Sequence, residues 1–276
     1  MNETKCDQGV FTPRLSNPFR AALDGGRPLC GIWSMLNAFN ATEGLGWAGY
    51  DWILIDGEHA PVSLEDALTH LRILAGTPTL PIVRLPWNDP VAIKQFLDIG
   101  AQTIMLPYVQ TAEEARRAVA AMHYPPHGQR GVAAMHRAGR YGAAPGYLGA
   151  ASETLYLIVQ AETRATLEEI DEIAAVDGVD AVFFGPGDLA ASMGKLGQAG
   201  DAAVTEAIDL AAEKVRAAGK AAGVLAANAA LAERHLRNGY HFVSVANEAA
   251  LLFSAARAAA QMHRAIASET VIRGGG

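Results

Sequence analysis

The segment 52–59 constrains the fold more than any other part of this 276-residue chain. The apolar run Trp52–Ile55 is followed at once by the polar stretch Asp56–His59, in which three of four residues are ionisable. A short apolar run bounded by turn residues is typical of a strand buried on both faces of a parallel sheet. Three later segments repeat the pattern of an apolar run that ends in charge: 80–84, 155–162 and 181–188. Charged residues after several parallel strands predict one polar rim, where the active sites of parallel α/β barrels are built.

Strand-like and helix-like segments alternate along most of the chain, as a series of βαβ units requires. We therefore predict an α/β fold, a (β/α)8 TIM barrel, for which a chain of this length has about the expected size. The barrel is predicted as a single domain over 19–267, between a flexible N-terminal arm (1–18) and a C-terminal tail (268–276). The eight predicted strands are Cys30–Met35, Trp52–Ile55, Pro81–Arg84, Thr103–Leu106, Leu155–Gln160, Ala181–Phe184, Ala221–Leu225 and Phe242–Val245. The seven predicted helices are Leu64–Leu74, Val91–Leu97, Ala112–Met122, Ala165–Ala174, Ala202–Ala218, Ala229–Arg237 and Ala249–Ile266.

Composition and charge exclude several classes of partner. A net charge of −7 argues against binding of nucleic acid or of an anionic membrane surface. No apolar stretch approaches the roughly 20 residues that a membrane span needs, and the polar first residues do not make a signal peptide. The two cysteines, Cys6 and Cys30, do not suggest a disulfide framework. We therefore expect a cytoplasmic protein whose partners are small molecules.

Two carboxylates at neighbouring strand ends are the best candidates for a metal site. Glu162 follows the fifth predicted strand and Asp188 follows the sixth. Adjacent strands lie about 4.8 Å apart, so both side chains can reach one ion. Two carboxylates without clustered cysteine or histidine favour a hard cation such as Mg2+ or Mn2+, with water or substrate as further ligands. The alternative is that these are two unrelated, solvated acids at the starts of loops.

Arg84 and His59 lie at the same predicted rim. Arg84 ends the third strand, where a guanidinium suits capture of a carboxylate or of an oxyanion that develops during reaction; a structural salt bridge is a compatible alternative. His59 is the only one of eight histidines at a predicted strand end, and an imidazole suits a general base at neutral pH. The five lysines all lie away from predicted strand ends, which disfavours catalysis through a Schiff base.

Several motifs together resemble the HpcH/HpaI aldolase family, from about Phe19 to about Ile266. They are Asp56-Gly-Glu-His-Ala-Pro61, Val83-Arg84, Leu97-Asp-Ile-Gly-Ala-Gln102, Tyr124-Pro-Pro-His-Gly-Gln-Arg-Gly-Val132, Gln160-Ala-Glu162 and Gly185-Pro-Gly-Asp-Leu-Ala-Ala-Ser-Met-Gly194. Two segments depart from the family pattern. The first strand reads Gly31-Ile-Trp-Ser-Met-Leu36 rather than Gly-x-Trp-x-Ser-Leu, and the eighth ends in Asn247 where the family often has an aspartate. The second change removes a charge near strand eight.

The resemblance implies a TIM barrel of the phosphoenolpyruvate/pyruvate type in which a divalent ion, Mg2+, Mn2+ or Co2+, chelates a pyruvate-type 2-oxo acid. It implies Glu162 and Asp188 as the metal ligands and Arg84 as the residue that stabilises the enolate oxygen. His59 is implied to act as a base through metal-bound water, oriented by Asp98. The implied substrate-binding residues are Arg84, Gln160, Gly187, Asp188, Trp33 and Leu225, the last two as walls of the pocket.

We therefore predict a divalent-metal-dependent aldolase, a carbon–carbon lyase. It would reversibly cleave 4-hydroxy-2-oxo acids to pyruvate, or a hydroxypyruvate-like 2-oxo acid, and an aldehyde. One alternative is a citrate-lyase-like enzyme of the same superfamily that cleaves an acyl-CoA ester. The other is a non-catalytic barrel used as a binding module, which predicts that at least one of His59, Arg84, Glu162 and Asp188 is lost; all four are present.

Two further segments suggest contacts outside the barrel. The stretch 124–153 is rich in proline, glycine and arginine, and loops of this length are usually functional or at an interface; a solvated excursion is the alternative. The last predicted helix, from Ala249, is rich in small residues that permit close helix contact. We predict that it is exchanged between neighbouring chains of a homo-oligomer, a hexamer as in similar proteins. The alternative is that it closes its own barrel.

Overall fold

Eight parallel strands close into a barrel in chain order, with β8 paired to β1. This is the topology of a computed structural model of the chain, which describes residues 15–270. Each helix between two strands returns the chain to the same edge of the sheet, so consecutive strands pair in parallel. The predicted (β/α)8 barrel is confirmed. The arm and tail predicted over 1–18 and 268–276 lie mostly outside the described residues.

The eight strands lie where the sequence predicts them, with ends shifted by at most two residues. Most of their residues are buried, as expected for strands covered by helices outside and by side chains inside the barrel. The strands are β1 (Leu29–Ser34), β2 (Trp52–Asp56), β3 (Leu80–Arg84), β4 (Thr103–Leu106), β5 (Tyr156–Ala161), β6 (Ala181–Phe184), β7 (Ala221–Leu225) and β8 (Phe242–Asn247).

The helices follow the prediction less closely than the strands. The predicted helix 165–174 is two short helices that meet at Glu169, and three helices of seven or eight residues were not predicted: α1, α2 and α9. Glycines within α2, and the Gly-Pro-Gly start of α9, are typical of turns rather than helices. The helices of the described residues are α1 (Pro18–Asp24), α2 (Phe39–Gly46), α3 (Leu64–Leu74), α4 (Pro90–Asp98), α5 (Ala112–Met122), α6 (Tyr147–Ala150), α7 (Arg164–Glu168), α8 (Ile170–Ala174), α9 (Pro186–Ser192), α10 (Ala202–Ala217), α11 (Ala229–Arg237) and α12 (Glu248–Glu269).

Aromatic side chains fill the interior of the barrel. The Trp52 ring lies edge-on to Phe242, with the ring centroids 5.9 Å apart, and Phe242 also packs against Phe183 at 5.6 Å. A methyl group at Gly31 would lie only 2.0 Å from the Trp52 ring, so this strand position has no room for a side chain. At the end of the barrel where the strands begin, Phe19 of α1 is fully buried against Phe242 and seals the core. The opposite end, where the strands finish, is therefore the one open to substrates.

The direction of the helices determines at which end of the barrel each loop lies. Each helix runs antiparallel to the strands, so its first residues lie near the ends of the strands and its last residues near the starts. The long segment that follows α5, 123–155, accordingly lies near the strand starts. There, the Asn17 side-chain amide donates to the carbonyl of Thr154 over 3.1 Å. The segment thus packs against the closed end of its own barrel.

Helix α12 stands away from the rest of its own chain. Its first residue, Glu248, is buried, but every residue from Ala250 to Thr270 is exposed. The exposed residues include Phe253, Met262 and Ile266, which are large and apolar. The helix therefore does not cover its own barrel. No helix within residues 15–270 is long and apolar enough to cross a membrane.

Candidate active site

A cavity of about 190 Å³ opens at the ends of the strands. Every predicted site residue except Asp98 lines it, and the lining residues come from seven of the eight strands and the loops that follow them. Its walls also include five residues to which the sequence assigned no role in the site: Met35, Asp56, Phe183, Gly185 and Asn247. The cavity lining comprises Trp33, Met35, Asp56, His59, Arg84, Gln160, Glu162, Phe183, Gly185, Gly187, Asp188, Leu225 and Asn247.

Arg84 is held rigidly by a carboxylate on the neighbouring strand. Its Nε and Nη2 donate to the two oxygens of Asp56 over 3.0 and 2.6 Å, in a bidentate pair. Asp56 is fully buried and also accepts from the Trp33 indole N–H at 3.0 Å, while the Arg84 guanidinium lies 4.7 Å from the Trp33 ring centroid. Burial raises the pKa of Asp56, but hydrogen bonds and charge from Arg84 outweigh it, and the net pKa is lowered. Asp56 is therefore an ionised anchor that fixes the guanidinium plane.

The remaining face of Arg84 points toward the acidic part of the site. Its Nη1 lies 2.5 Å from the carboxylate of Glu58, two residues after the strand end. The same nitrogen lies 3.5 Å from the side-chain oxygen of Gln160 on β5. Glu58 is therefore part of the site, although the sequence predicts a role only for its neighbour His59. The sequence could have indicated this role, because Glu58 belongs to the same run of ionisable residues as His59.

Glu162 is buried just beyond the end of β5, and its carboxylate is held on both sides. One oxygen accepts from the Gln160 side-chain amide at 2.9 Å, and the other accepts from the backbone N–H of Tyr108 at 3.1 Å. Tyr108 has a positive φ of 55°, an uncommon conformation that aims this N–H at the carboxylate. A Cβ at Gly185 would lie 2.7 Å from the Glu162 oxygen, so a glycine is required at the adjacent strand end.

The acidic side chains of the site destabilise one another's charge. The pKa of Glu162 is raised to about 7, first by burial and then by repulsion from Glu58, with a smaller contribution from Asp188. The pKa of Glu58 is also raised, chiefly by burial, although Arg84 and His59 oppose the shift. Four carboxylates (Asp56, Glu58, Glu162 and Asp188) and one buried guanidinium thus share the site. This excess of negative charge is what a bound cation would neutralise.

Asp188 and Gly187 come from the first turn of α9, which begins directly after β6. Asp188 lines the cavity with Glu162 from the neighbouring strand, as predicted from the sequence. No atom lies within 4 Å of the position that a Cβ on Gly187 would occupy, so the backbone there faces open space. Its N–H belongs to the unpaired amides of a helix start, which favour an anionic group.

The carboxylates fit a hard divalent cation, although they do not form a complete cage. Within residues 15–270, no group of three or more Asp, Glu, His or Cys side chains is arranged to hold a metal ion. Glu162 and Asp188 could together offer carboxylate oxygens to such a cation, and the open cavity leaves room for water and substrate oxygens. Mg2+ is commonly bound in this way, by one or two carboxylates together with substrate.

His59 lies at the mouth of the cavity. Its side chain is 61% exposed, and its Nε2 lies 3.9 Å from the Glu58 carboxylate. Its backbone N–H donates to Asp56 over 3.1 Å, which ties the turn after β2 to the anchor of Arg84. The imidazole is therefore near the acidic cluster and accessible to a substrate from outside.

The structure does not bring Asp98 to His59. Asp98 is the last residue of α4, which starts near the ends of the strands and runs back for nine residues, about 13 Å at 1.5 Å per residue. Its carboxylate instead lies 2.6 Å from the Arg130 Nη2 and 3.7 Å from the His136 Nε2. The predicted orientation of His59 by Asp98 is therefore not made within this chain. Asp98 anchors the segment 123–155 instead.

The walls of the cavity are apolar on one side. Trp33 of β1 and Leu225 of β7 line it as the resemblance implied, with Met35 just beyond the end of β1. Asn247 also reaches the cavity, where its side-chain amide lies 3.2 Å from the Met35 sulfur while its oxygen caps α12 through the Ala250 N–H at 3.0 Å. The site thus combines an acidic floor with an apolar wall.

Known proteins are similar to this chain in both sequence and fold. The HpcH/HpaI aldolase/citrate lyase family model matches residues 29–255. The chain is 49% identical over 248 residues to 4-hydroxy-2-oxo-heptane-1,7-dioate aldolase from Salmonella heidelberg, which covers 89% of this chain and 94% of that protein. A HpcH/HpaI aldolase/citrate lyase family protein from Burkholderia cenocepacia is 39% identical with a TM-score of 0.86, covering 90% of this chain and 100% of that one. An HpcH/HpaI aldolase from Desulfitobacterium hafniense is 27% identical with a TM-score of 0.81, covering 89% and 96%.

Proposed function

Because the chain belongs to the HpcH/HpaI aldolase/citrate lyase family and is an aldolase, a carbon–carbon lyase, we propose that it reversibly cleaves 4-hydroxy-2-oxo acids. The products would be pyruvate, or a hydroxypyruvate-like 2-oxo acid, and an aldehyde. The similarity to 4-hydroxy-2-oxo-heptane-1,7-dioate aldolases favours this activity over cleavage of an acyl-CoA ester. The presence of the complete set of polar site residues, together with these aldolase relatives, argues against a non-catalytic barrel.

The enzyme is proposed to depend on a divalent metal ion, with Mg2+, Mn2+ and Co2+ as the candidates. Glu162 and Asp188 would hold the ion. When bound, it would supply positive charge that stabilises the electron pair left on the 2-oxo acid after the carbon–carbon bond breaks. The observation that supports a cation most directly is the clustering of four carboxylates around one guanidinium, with the pKa of Glu162 raised to about 7.

Different residues of the chain are proposed to have different roles in the cleavage. The Arg84 guanidinium, fixed by Asp56, is proposed to donate hydrogen bonds to the oxygen on which negative charge develops. Gln160, Asp188 and the backbone N–H of Gly187 would orient the 2-oxo acid. His59 would accept the proton of the 4-hydroxyl group at a ring nitrogen as the C3–C4 bond breaks, and the electron pair would pass to the enolate. Return of that proton from His59 to C3 would then give the methyl group of pyruvate and restore the neutral ring.

The apolar wall of the cavity is proposed to select the aldehyde. Trp33 and Leu225 offer no hydrogen-bonding side chain beyond the indole N–H, which already donates to Asp56. The aldehyde would therefore be recognised mainly by shape. This division leaves binding of the 2-oxo acid to the polar residues.

Pyruvate release from a panel of 4-hydroxy-2-oxo acids tests the proposed activity. We expect cleavage that stops in a chelator and returns on addition of Mg2+, Mn2+ or Co2+. A parallel assay with acyl-CoA esters addresses the citrate-lyase alternative. Cleavage of the ester but of no 4-hydroxy-2-oxo acid would refute the proposal, and unchanged aldol cleavage after exhaustive removal of metal would refute the role of the cation.

We also propose a cytoplasmic homo-oligomer, a hexamer, in which α12 is exchanged between neighbouring chains. The exposed apolar side chains of α12, among them Phe253 and Ile266, support the exchange because they require cover that their own barrel does not supply. Its small residues permit a neighbouring chain to approach closely. Sedimentation of the full chain at micromolar concentration tests this assembly.

A further inference from the structure

A second and larger cavity lies at the closed end of the barrel, away from the catalytic residues. It measures about 530 Å³, within the range of roughly 300–1,000 Å³ that is typical of small-molecule pockets. It is bounded by α1, by the starts of β5 and β7, and by the turns that precede β6, β7 and β8. Its polar lining residues are Arg20, Asp24, Tyr156, Asp180, Arg216, Lys220 and His241. None of these residues takes part in the proposed aldol cleavage.

The charges on one wall of this cavity are already neutralised. The Arg20 guanidinium lies 3.0 Å from one oxygen of Asp180 and 4.9 Å from the Tyr156 ring centroid. The second oxygen of Asp180 accepts from the backbone N–H of Leu157 at 2.8 Å. Asp180 is thus paired through both oxygens, which leaves it little capacity to bind the other cations of the lining.

Three other hydrogen-bond donors of the lining have no acceptor within residues 15–270. The Nη1 of Arg216 is buried without a hydrogen-bond partner, although the guanidinium lies 5.8 Å from the Tyr240 ring centroid. The ammonium of Lys220, in the turn before β7, makes no ion pair in the described part of the chain. A buried donor left unpaired costs about 1–3 kcal/mol, which makes such an atom a marker for a missing acceptor.

His241 supplies the third donor, and its backbone environment fixes its tautomer. Its Nδ1 accepts from the N–H of Ala222 at 3.1 Å, so the proton of the neutral ring is on Nε2. Burial and the neighbouring Arg216 lower the pKa of His241, which keeps the ring neutral at pH 7. A guanidinium, an ammonium and an imidazole N–H thus face one cavity, and the single unpaired carboxylate among the lining residues is the exposed Asp24 of α1.

We propose that this cavity binds an oxyanion group, a phosphate or a carboxylate, of a small metabolite through Arg216, Lys220 and His241. Three donors of different geometry match a group with several acceptor oxygens, and charge-assisted hydrogen bonds to such groups are the strong ones. The site is separate from the catalytic cavity, which opens at the other end of the barrel. It would therefore bind its ligand independently of the 2-oxo acid.

Calorimetric titration of the full chain with inorganic phosphate and with malonate tests the proposal at constant ionic strength. Saturating pyruvate and Mg2+ are kept in the cell, so that binding at Arg84 does not contribute. We expect one saturable site per chain and a melting temperature that rises with ligand concentration. Binding of both anions supports a general oxyanion site, and binding of phosphate alone supports a phosphate-selective one. Binding of neither anion by the wild-type chain would overturn the proposal.

Two variants and a matched control locate the site. Arg216→Gln and Lys220→Gln should each weaken binding by roughly ten- to hundred-fold, the usual effect of losing one charge-assisted hydrogen bond. Lys214→Gln removes one positive charge from the helix that carries Arg216, but Lys214 pairs with Asp171 outside the cavity, and binding should stay within twofold. Lys220→Gln should leave aldol cleavage without added anion unchanged. Equal binding losses in Lys220→Gln and Lys214→Gln would reduce the effect to general charge screening and refute the site.

Discussion

Replacement of Arg84 by methionine should destabilise the fold as well as abolish catalysis. The substitution keeps a long side chain but leaves the Asp56 carboxylate, which is 0% exposed, without its two guanidinium hydrogen bonds. Removing one partner of a buried ion pair costs about 3–5 kcal/mol. Three neutral donors remain on Asp56, namely the Trp33 indole and the backbone N–H groups of Glu58 and His59. We therefore expect the lower end of that range, about 3 kcal/mol.

Urea denaturation at pH 7 and at fixed protein concentration measures this loss. Asp56→Asn in the Arg84→Met background removes the stranded charge and should recover part of the stability, so the two substitutions should be non-additive. Arg84→Lys retains a charge but lacks the planar fork, and should recover stability better than activity. A loss below about 1 kcal/mol for Arg84→Met, the value of an exposed ion pair, would refute the reasoning.

The pH dependence gives the same prediction a second test. In the parent, the lowered pKa of Asp56 means that its contribution to stability is present above its unfolded pKa and is lost as the pH falls through the folded value. In Arg84→Met, the hydrogen bonds and charge of Arg84 no longer oppose burial, and the remaining neutral donors oppose it less, so the pKa of Asp56 should rise above its unfolded value. The stability deficit of the variant should then be smaller at pH 5 than at pH 7. A deficit that grows on acidification would contradict this account.

The remaining predictions concern the metal, the base and the assembly. Glu162→Ala or Asp188→Ala should abolish metal-dependent cleavage and weaken Mn2+ binding measured by calorimetry. The circular dichroism spectrum should stay unchanged, because residues at the rim do not pack the barrel core. Near-normal turnover at limiting metal would disprove the ligand assignment. Without metal, the pKa of Glu162 is about 7, above its unfolded value. The contribution of Glu162 to stability is therefore present at low pH and is lost as the pH rises through about 7. Added divalent ion should reverse this loss of stability in thermal melts. His59→Ala should lower turnover by roughly 10²–10⁴-fold but preserve pyruvate binding, and exchange of the pyruvate methyl protons at the parent rate would contradict its role as base. Sedimentation should show an oligomer, and a stable 29.0 kDa monomer at micromolar concentration would contradict helix exchange.

The sequence was sufficient to predict which residues share the catalytic cavity because parallel strands have a common direction. Glu162 and Asp188 follow strands that pair through Ala161 and Phe184, so their convergence requires only that the two strands be identified as neighbours. Arg84 needed only its place at the end of β3. Periodicity and turn residues identify such strands well, because each strand is short, apolar and interrupted by polar residues.

The partners of these residues were harder to predict. Asp56 and Glu58 were recognised as ionisable residues at a strand end, but the sequence does not say which acid the Arg84 guanidinium will bind. The structure assigns Asp56 the bidentate pair because it lies directly opposite Arg84 in the register of β2 and β3. The partner of Asp98 within the chain was hard to predict for a related reason. A motif identifies Asp98 but does not say where it lies in the barrel. The direction of α4 decides that position, because the helix runs from one end of the barrel to the other and Asp98 is its last residue.

The charge of the cavity connects the anchor of Arg84, the proposed metal and the departure at Asn247. If all four carboxylates are ionised against one guanidinium, the site carries three uncompensated negative charges, and a divalent cation reduces that excess to one. A fifth carboxylate in place of Asn247, where the family often has an aspartate, would increase the repulsion that already raises the pKa of Glu162. The amide instead fills the same position without charge, and it still caps α12 through the Ala250 N–H. The loss of an aspartate at this strand end is therefore consistent with the same acidic site, because its structural role needs only an acceptor oxygen.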